Sequence, residues 1–269
     1  MKSFEFTPEG VQDCSVTAWV HHNNESTEIV QKLHPAIIIC PGGAYEFVSD
    51  REAEPVGKPY FAAGYNVFIL RYSVGEKAAG FNPLCQLAAT IAHIRKYSTQ
   101  YVTAENEIAV CGFSAGGHLA ASLGTLFNEE KFLQVFNRND NIRPDAMVLC
   151  YALITADEYT HESSIEKVSG AKKGSADYEW FGLDKHVDEN TPPAFLWHTA
   201  ADQLVPVENC LKMAMALSAK DVPYELHILP EGEHGLSVCT NEVATPDDYN
   251  GRWVEWSIAW MNKLFSFHA

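Results

Sequence analysis

Short apolar runs and helical stripes alternate along the chain. Pro35–Cys40 is a continuous apolar run closed by Pro41-Gly42-Gly43, and Asn66–Leu70, Ile108–Cys111, Ala146–Cys150, Ala194–Trp197 and Tyr224–Leu229 follow it. Short apolar runs bounded by Gly or Pro suit strands covered on both faces. Ser15–His21 alternates weakly and reads as a strand near a sheet edge. Between these runs, Leu84, Leu87, Ala88, Ile91 and Ile94 form one helical stripe. Ala115–Phe127 is a second predicted helix, and Val207–Leu217 a third, with Leu211, Ala214 and Met215 on one side. Arg252–Phe265 is a C-terminal helix whose Trp253, Trp256, Trp260 and Leu264 share a face and are expected in the core. Strands alternating with helices imply βαβ units and a parallel sheet, an α/β fold. Residues 155–191 break the rhythm. They are rich in charged and small polar residues, and a segment of that length between two strands is a candidate small cap or a solvated surface stretch.

Composition narrows the function classes. The chain has 269 residues with 19 Lys+Arg against 35 Asp+Glu, a formal charge of −16, which repels nucleic-acid phosphates. Its seven cysteines form no CxxC pair, so neither a zinc framework nor a dithiol motif is expected. No apolar run reaches the length of a membrane helix and MKSFEFTPEG lacks the apolar core of a signal peptide, so the expectation is a cytoplasmic protein away from membranes.

Gly112-Phe113-Ser114-Ala115-Gly116 is a G-x-S-x-G pattern. It lies between a predicted buried strand and a predicted helix, the context of a nucleophile elbow. The elbow holds its serine in a strained turn, and the glycines on either side remove side chains that would collide. A serine hydroxyl needs a general base. Of eleven histidines, His234 is the candidate: it follows the last predicted strand within Gly232-Glu233-His234-Gly235, a loop free to cross the sheet edge. His118 is one helical turn from Ser114 and reads as structural, and His198 ends a strand and reads as packed. His21, His22, His161, His186 and His268 read as surface residues. The acid that orients the imidazole is expected at Asp202, just after the strand Ala194–Trp197, with Asp157 as runner-up. The order Ser, Asp, His is that of a known hydrolase arrangement. Cys40-Pro-Gly-Gly-Ala-Tyr45 supplies a small-residue loop whose backbone can approach a reacting carbonyl oxygen. The donors assigned are the N–H of Ala115 and that of Gly43 or Ala44. Tyr45 is as good a candidate for an acyl-pocket wall as for packing.

The chain resembles the α/β-hydrolase superfamily, and more narrowly the bacterial esterases described as acetyl-xylan-esterase-like or xylanase-B-like. The resemblance rests on Ile38–Tyr45, Ser49–Pro55, Gly64–Ser73, Gly112–Leu119, Asp202–Val207 and His234–Ser237, in that order. Glycine is common in the family where Ala44 stands. The resemblance implies one domain with a mostly parallel sheet flanked by helices on both faces and a small cap or none. It also implies Ser114 as nucleophile, Asp202 as acid and His234 as base, with no metal or organic cofactor. The expected activity is hydrolysis of short acyl esters, acetylated sugars or xylo-oligosaccharides among them. An amidase or peptidase on the same fold, or a binding protein that kept the pocket, are the rivals, and a homodimer is compatible with the family. Ser49–Pro55 offers no chemistry from sequence beyond ion pairing by Arg51 and Glu54.

Overall fold

The computed structural model describes residues 1–22 and 33–268. Among the described residues eight strands form one sheet: β1 (Lys2–Phe6), β2 (Ser15–Val20), β3 (His34–Cys40), β4 (Asn66–Arg71), β5 (Thr103–Phe113), β6 (Ala146–Cys150), β7 (Ala194–Thr199) and β8 (Tyr224–Leu229). They lie in the order β1-β2-β4-β3-β5-β6-β7-β8. β1 and β2 pair antiparallel with each other, and β2 does so with β4; every later pairing is parallel. The connecting helices are α1 (Glu54–Ala62), α2 (Asn82–Lys96), α3 (Ser98–Tyr101), α4 (Ala115–Leu126), α5 (Glu130–Phe136), α6 (Glu162–Ser169), α7 (Ala176–Glu179), α8 (Glu208–Ala219) and α9 (Trp253–Phe265).

The apolar runs are continuous because both sheet faces are covered. Ile38 packs with Phe68 and Val110 on the face that carries Leu87, Leu119 and Met213 of α2, α4 and α8. Its neighbours Ile37 and Ile39 pack with Val67 and Cys111 on the face that carries Val56, Tyr60 and Trp253 of α1 and α9. The period of two along each strand thus sends alternate side chains into separate cores. α4 is buried along its whole length. Its glycines let it lie against β6: a Cβ at Gly124 would stand 2.2 Å from the Met147 sulfur, and one at Gly117 2.5 Å from the Ala152 Cβ.

Two helical faces differ from the expectation. On α8 the buried side is Asn209, Cys210, Met213, Ala214 and Leu217, whereas Leu211 and Met215 face solvent. On α9 the buried stripe is Trp253, Val254, Ser257 and Met261; Trp256 and Trp260 are half-buried and Leu264 is exposed. On α9 the expected stripe is the more apolar of the two, since Ser257 lies on the observed one; the direction in which the helix packs decides the buried face, and Trp256 and Trp260 still pack against the edge of that core. Strand β1 was not expected, since Phe4 and Phe6 are too few to mark a run, and they are only half-buried.

Residues 155–191 carry α6, α7 and a 3-10 turn at Leu183–His186. They bury Ile165, Val168, Tyr178, Phe181 and Leu183 against the α2–α4 core, so their underside is apolar despite the polar composition. All seven cysteines are free thiols. Among the described residues no helix is long and apolar enough to cross a membrane.

Candidate active site

The C-terminal ends of β3, β5, β6, β7 and β8 converge on one cavity. Ser114 sits between β5 and α4 at φ 53° and ψ −119°, a backbone conformation that non-glycine residues rarely adopt. The flanking glycines are required by contact distances. A Cβ at Gly112 would lie 2.1 Å from the Gly116 carbonyl oxygen, and one at Gly116 would lie 2.1 Å from the Cys40 oxygen and 2.3 Å from that of Pro41. The Ser114 N–H donates to Cys150 O at 3.1 Å, which ties the elbow to the end of β6.

His234 arrives on the loop after β8, and Asp202 on the loop after β7. The Ser114 hydroxyl lies 2.9 Å from His234 Nε2, and His234 Nδ1 lies 2.6 Å from Asp202 Oδ2. With Nδ1–H donating to the carboxylate, Nε2 is left as the acceptor for the serine proton. Asp202 Oδ1 accepts the N–H groups of Leu204 and Val205 at 2.9 and 3.0 Å, so the carboxylate plane is fixed. Burial pushes the Asp202 carboxyl up, but hydrogen bonds from His198, His234 and Val205 outweigh it and hold it well below the usual carboxylate range. His198 is fully buried, with Nε2 donating to Val205 O at 2.8 Å. Asp157 lies elsewhere, ion-paired to Lys212.

The loop after β3 presents two N–H groups by fixing the carbonyls of the preceding residues. Gly42 O accepts from Ser49 N–H at 3.0 Å, and Gly43 O accepts from Glu46 and Phe47 N–H at 2.8 and 3.1 Å. In a planar trans peptide the N–H points opposite to the C=O. The N–H groups of Gly43 and Ala44 are therefore oriented, and neither meets an acceptor among the described residues. Ser114 O accepts from His118 and Leu153 N–H at 3.0 and 3.2 Å, which orients the Ala115 N–H in the same manner. Gly43 stands at φ +127°, and a Cβ there would lie 2.1 Å from Phe47 O. Ala44 takes φ 56°, a strain that glycine would relieve.

Tyr45 does not line the cavity. It is fully buried, and its hydroxyl donates to His118 Nδ1 at 2.9 Å, while His118 Nε2 donates to Phe181 O at 3.1 Å. Burial lowers the His118 pKa to about 4, so the ring is neutral. The aromatic at the mouth is instead Phe47, which is exposed and faces Leu204 across an opening of about 290 Å³ that also contacts Gly43, Ser49, Ser114 and His234. His161, expected at the surface, is half-buried on the wall of this cavity, with Nδ1 2.8 Å from the Ser164 hydroxyl. Burial and the charge of His234 lower its pKa. Glu54 forms the expected ion pair, with Arg71, but Arg51 binds the carbonyls of Val243 and Gly235 instead. Glu52, a buried carboxyl at the cavity wall, was missed by sequence reasoning. The signal available was its place inside Ser49–Pro55. Among the described residues no three His, Cys, Asp or Glu side chains are grouped to hold a metal ion.

The fold is that of the α/β-hydrolases. The chain belongs to the BD-FAE family, whose model matches residues 24–217. It is 33% identical over 209 residues to endo-1,4-beta-xylanase B of Butyrivibrio fibrisolvens, a match covering 77% of this chain and 33% of that protein. Across the curated relatives the chain spans between 33% and 54% of their length. Among solved structures, the acetyl ester-xyloside bifunctional hydrolase from Caldicellulosiruptor lactoaceticus is similar at TM-score 0.82 and 33% identity, covering 95% of this chain and 89% of that one. The carboxylesterase Cest-2923 from Lactobacillus plantarum WCFS1 matches at TM-score 0.89 and 25% identity over the full length of both.

Proposed function

We propose that the chain is a serine carboxylesterase that hydrolyses short acyl esters, with acetylated sugars as the substrate class. The observation that carries this reading is the unbroken hydrogen-bond chain from Ser114 through His234 to Asp202, beside three oriented N–H groups that meet no acceptor among the described residues. In the first step the Ser114 oxygen attacks the ester carbonyl and its proton passes to His234 Nε2. Asp202 holds the tautomer and stabilises the imidazolium. The N–H of Ala115, with that of Gly43 or Ala44, holds the tetrahedral oxyanion; removal of one such donor typically costs ~10²–10³ in rate. The intermediate collapses as His234 protonates the leaving alcohol, leaving an acyl-serine. Water, deprotonated by His234, repeats the sequence and frees the acid. None of these steps needs a metal or organic cofactor.

The small cavity under Phe47 and Leu204 favours a short acyl group. The sugar assignment draws support from the Caldicellulosiruptor neighbour, named for acetyl esters and xylosides, which is similar over nearly the whole chain. The test is turnover of p-nitrophenyl esters of increasing acyl length by the wild type and Ser114→Ala. Acetate is expected to be best, and the variant inert. Equal inertness of both proteins on every ester would sink the reading.

A further inference from the structure

Glu52 is a buried acid that the steps above leave without a task. It is only 5% exposed, and it closes the short turn Asp50–Glu52. Its two carboxyl oxygens face different parts of the site. Oε2 accepts the N–H of Gly42 at 2.8 Å, one residue before the first oriented donor of the oxyanion loop. Oε1 accepts the Tyr151 hydroxyl at 2.6 Å. Tyr151 follows β6 directly, and its oxygen in turn accepts the N–H of Ser237, three residues past His234. The edge-to-face contact between the Tyr151 and His234 rings, with centroids 5.1 Å apart, places the phenol against the imidazole itself. The neighbouring Arg51 works in parallel: its backbone oxygen accepts the Ser237 hydroxyl at 2.6 Å, and its guanidinium donates to Gly235 O at 3.0 Å.

We propose that Glu52 is a positioning residue: a carboxyl brace that holds the oxyanion loop and the histidine loop at a fixed separation, through Gly42 on one oxygen and through Tyr151 to Ser237 on the other. The proposal rests on the hydrolase reading above. Oxyanion donors and imidazole must be aligned on one tetrahedral carbon, yet they sit on loops from opposite ends of the chain, and no strand pairing joins those loops. A misplacement of about 1 Å in such an arrangement can cost ~10²-fold in rate. Packing alone does not call for an acid here. A buried carboxyl carries a desolvation cost that an apolar side chain of similar size would avoid. Burial indeed pushes the Glu52 carboxyl up, against the hydrogen bonds from Tyr151 and Gly42 and the charge of His234. What an apolar side chain lacks is two acceptors aimed at two donors. Glutamine keeps the volume but offers one acceptor oxygen and one NH₂, so one of the two donors loses its partner.

Glu52→Gln and Tyr151→Phe, singly and together, test the brace in two readouts. The first is amide hydrogen exchange in the intact protein, which needs no turnover. Residues 41–47 and 234–239 should both exchange faster, by about tenfold or more, in each single variant, with β5 and α4 unchanged. The second is kcat and KM on p-nitrophenyl acetate. Glu52→Gln should lower kcat ~10–100-fold with KM within about threefold, and the double variant should be no slower than Glu52→Gln alone, since groups acting as one unit are not additive. Unchanged exchange in either loop overturns the proposal. Faster exchange with unchanged kcat also overturns it, because the contact would then be structural alone. If Glu52→Gln does not fold, Tyr151→Phe decides, as it keeps the Gly42 contact and severs only the link toward Ser237. A wild type inert on all esters, by contrast, overturns the hydrolase reading itself and takes the catalytic half of this proposal with it.

Discussion

Asp202 shows how a single side chain is made to do one thing. Its Oδ1 is held by two backbone N–H groups of the Leu204–Val205 turn, so only Oδ2 remains for the imidazole. That turn is built by Asp202 itself, an Asx-type arrangement in which the short acid accepts from residues two and three ahead. In Asp202→Asn the amide NH₂ must face either the Leu204 and Val205 N–H groups or His234 Nδ1–H. The first choice loses the turn, and the second drives His234 to the tautomer whose Nε2 cannot accept the Ser114 proton. Where an orienting Asp has this role, its amide typically costs ~10⁴ in kcat. We expect a kcat loss of ~10³–10⁴ on p-nitrophenyl acetate, with the far-UV circular dichroism of the wild type. A variant within tenfold of wild type would show that His234 does not depend on this carboxylate.

At the scale of elements, the site depends on how closely α4 approaches the loop after β3. Gly116 makes that approach possible: a methyl there overlaps two backbone carbonyls, which cannot rotate away as a side chain could. Gly116→Ala should therefore push α4 from the oxyanion loop, lowering soluble yield or, in folded material, cutting labelling of Ser114 by a fluorophosphonate at least ~10²-fold. Labelling at the wild-type rate would mean that the loop moves freely. The small residues of this elbow were legible in sequence because steric need leaves few residue types able to serve. The strands were legible for a related reason, since burial on both faces turns Ile37, Ile38 and Ile39 into one apolar run. The helical faces of α8 and α9 were less so, because Leu211, Met215 and Leu264 are apolar yet exposed, and an exposed apolar residue carries no sequence mark. Glu52 was missed, His161 misplaced and Tyr45 left open between pocket and packing because their positions follow from loop geometry. Tyr45 belongs to the oxyanion loop, but its left-handed backbone (φ 57°) and the partner at His118 aim it inward, away from the cavity.

At the scale of the whole molecule, the buried polar groups that frame the site also set how stability responds to pH. His118 joins three regions: the oxyanion loop through Tyr45, the elbow helix on which it sits, and residues 155–191 through Phe181. Its one acceptor and one donor are both used by the neutral ring, so a second ring proton would displace the Tyr45 hydroxyl hydrogen. The folded pKa of about 4 lies below the ordinary 6.5. The unfolded chain therefore binds more protons between those values, and the stabilisation from His118 is full above about pH 6.5 and lost as pH falls toward about 4. The shift corresponds to about 3 kcal/mol. Other groups act with their own signs. His21 is displaced in the same direction, also to about 4, by burial and by His34. Glu52, raised by burial, weakens the fold as pH rises above its ordinary 4.5. The depressed Asp202 contributes above its ordinary 3.8 and is lost only as pH falls below that. These terms are common to the wild type and to His118→Gln, whose amide can accept from Tyr45 and donate to Phe181 without titrating. Urea unfolding of both proteins at pH 7 and pH 4.5 isolates the histidine. The wild type should lose more stability than the variant across that interval, by about 2 kcal/mol. Equal losses would mean that His118 takes up its proton in the folded protein as easily as in the unfolded one, and that the link between residues 155–191 and the oxyanion loop does not depend on a neutral ring.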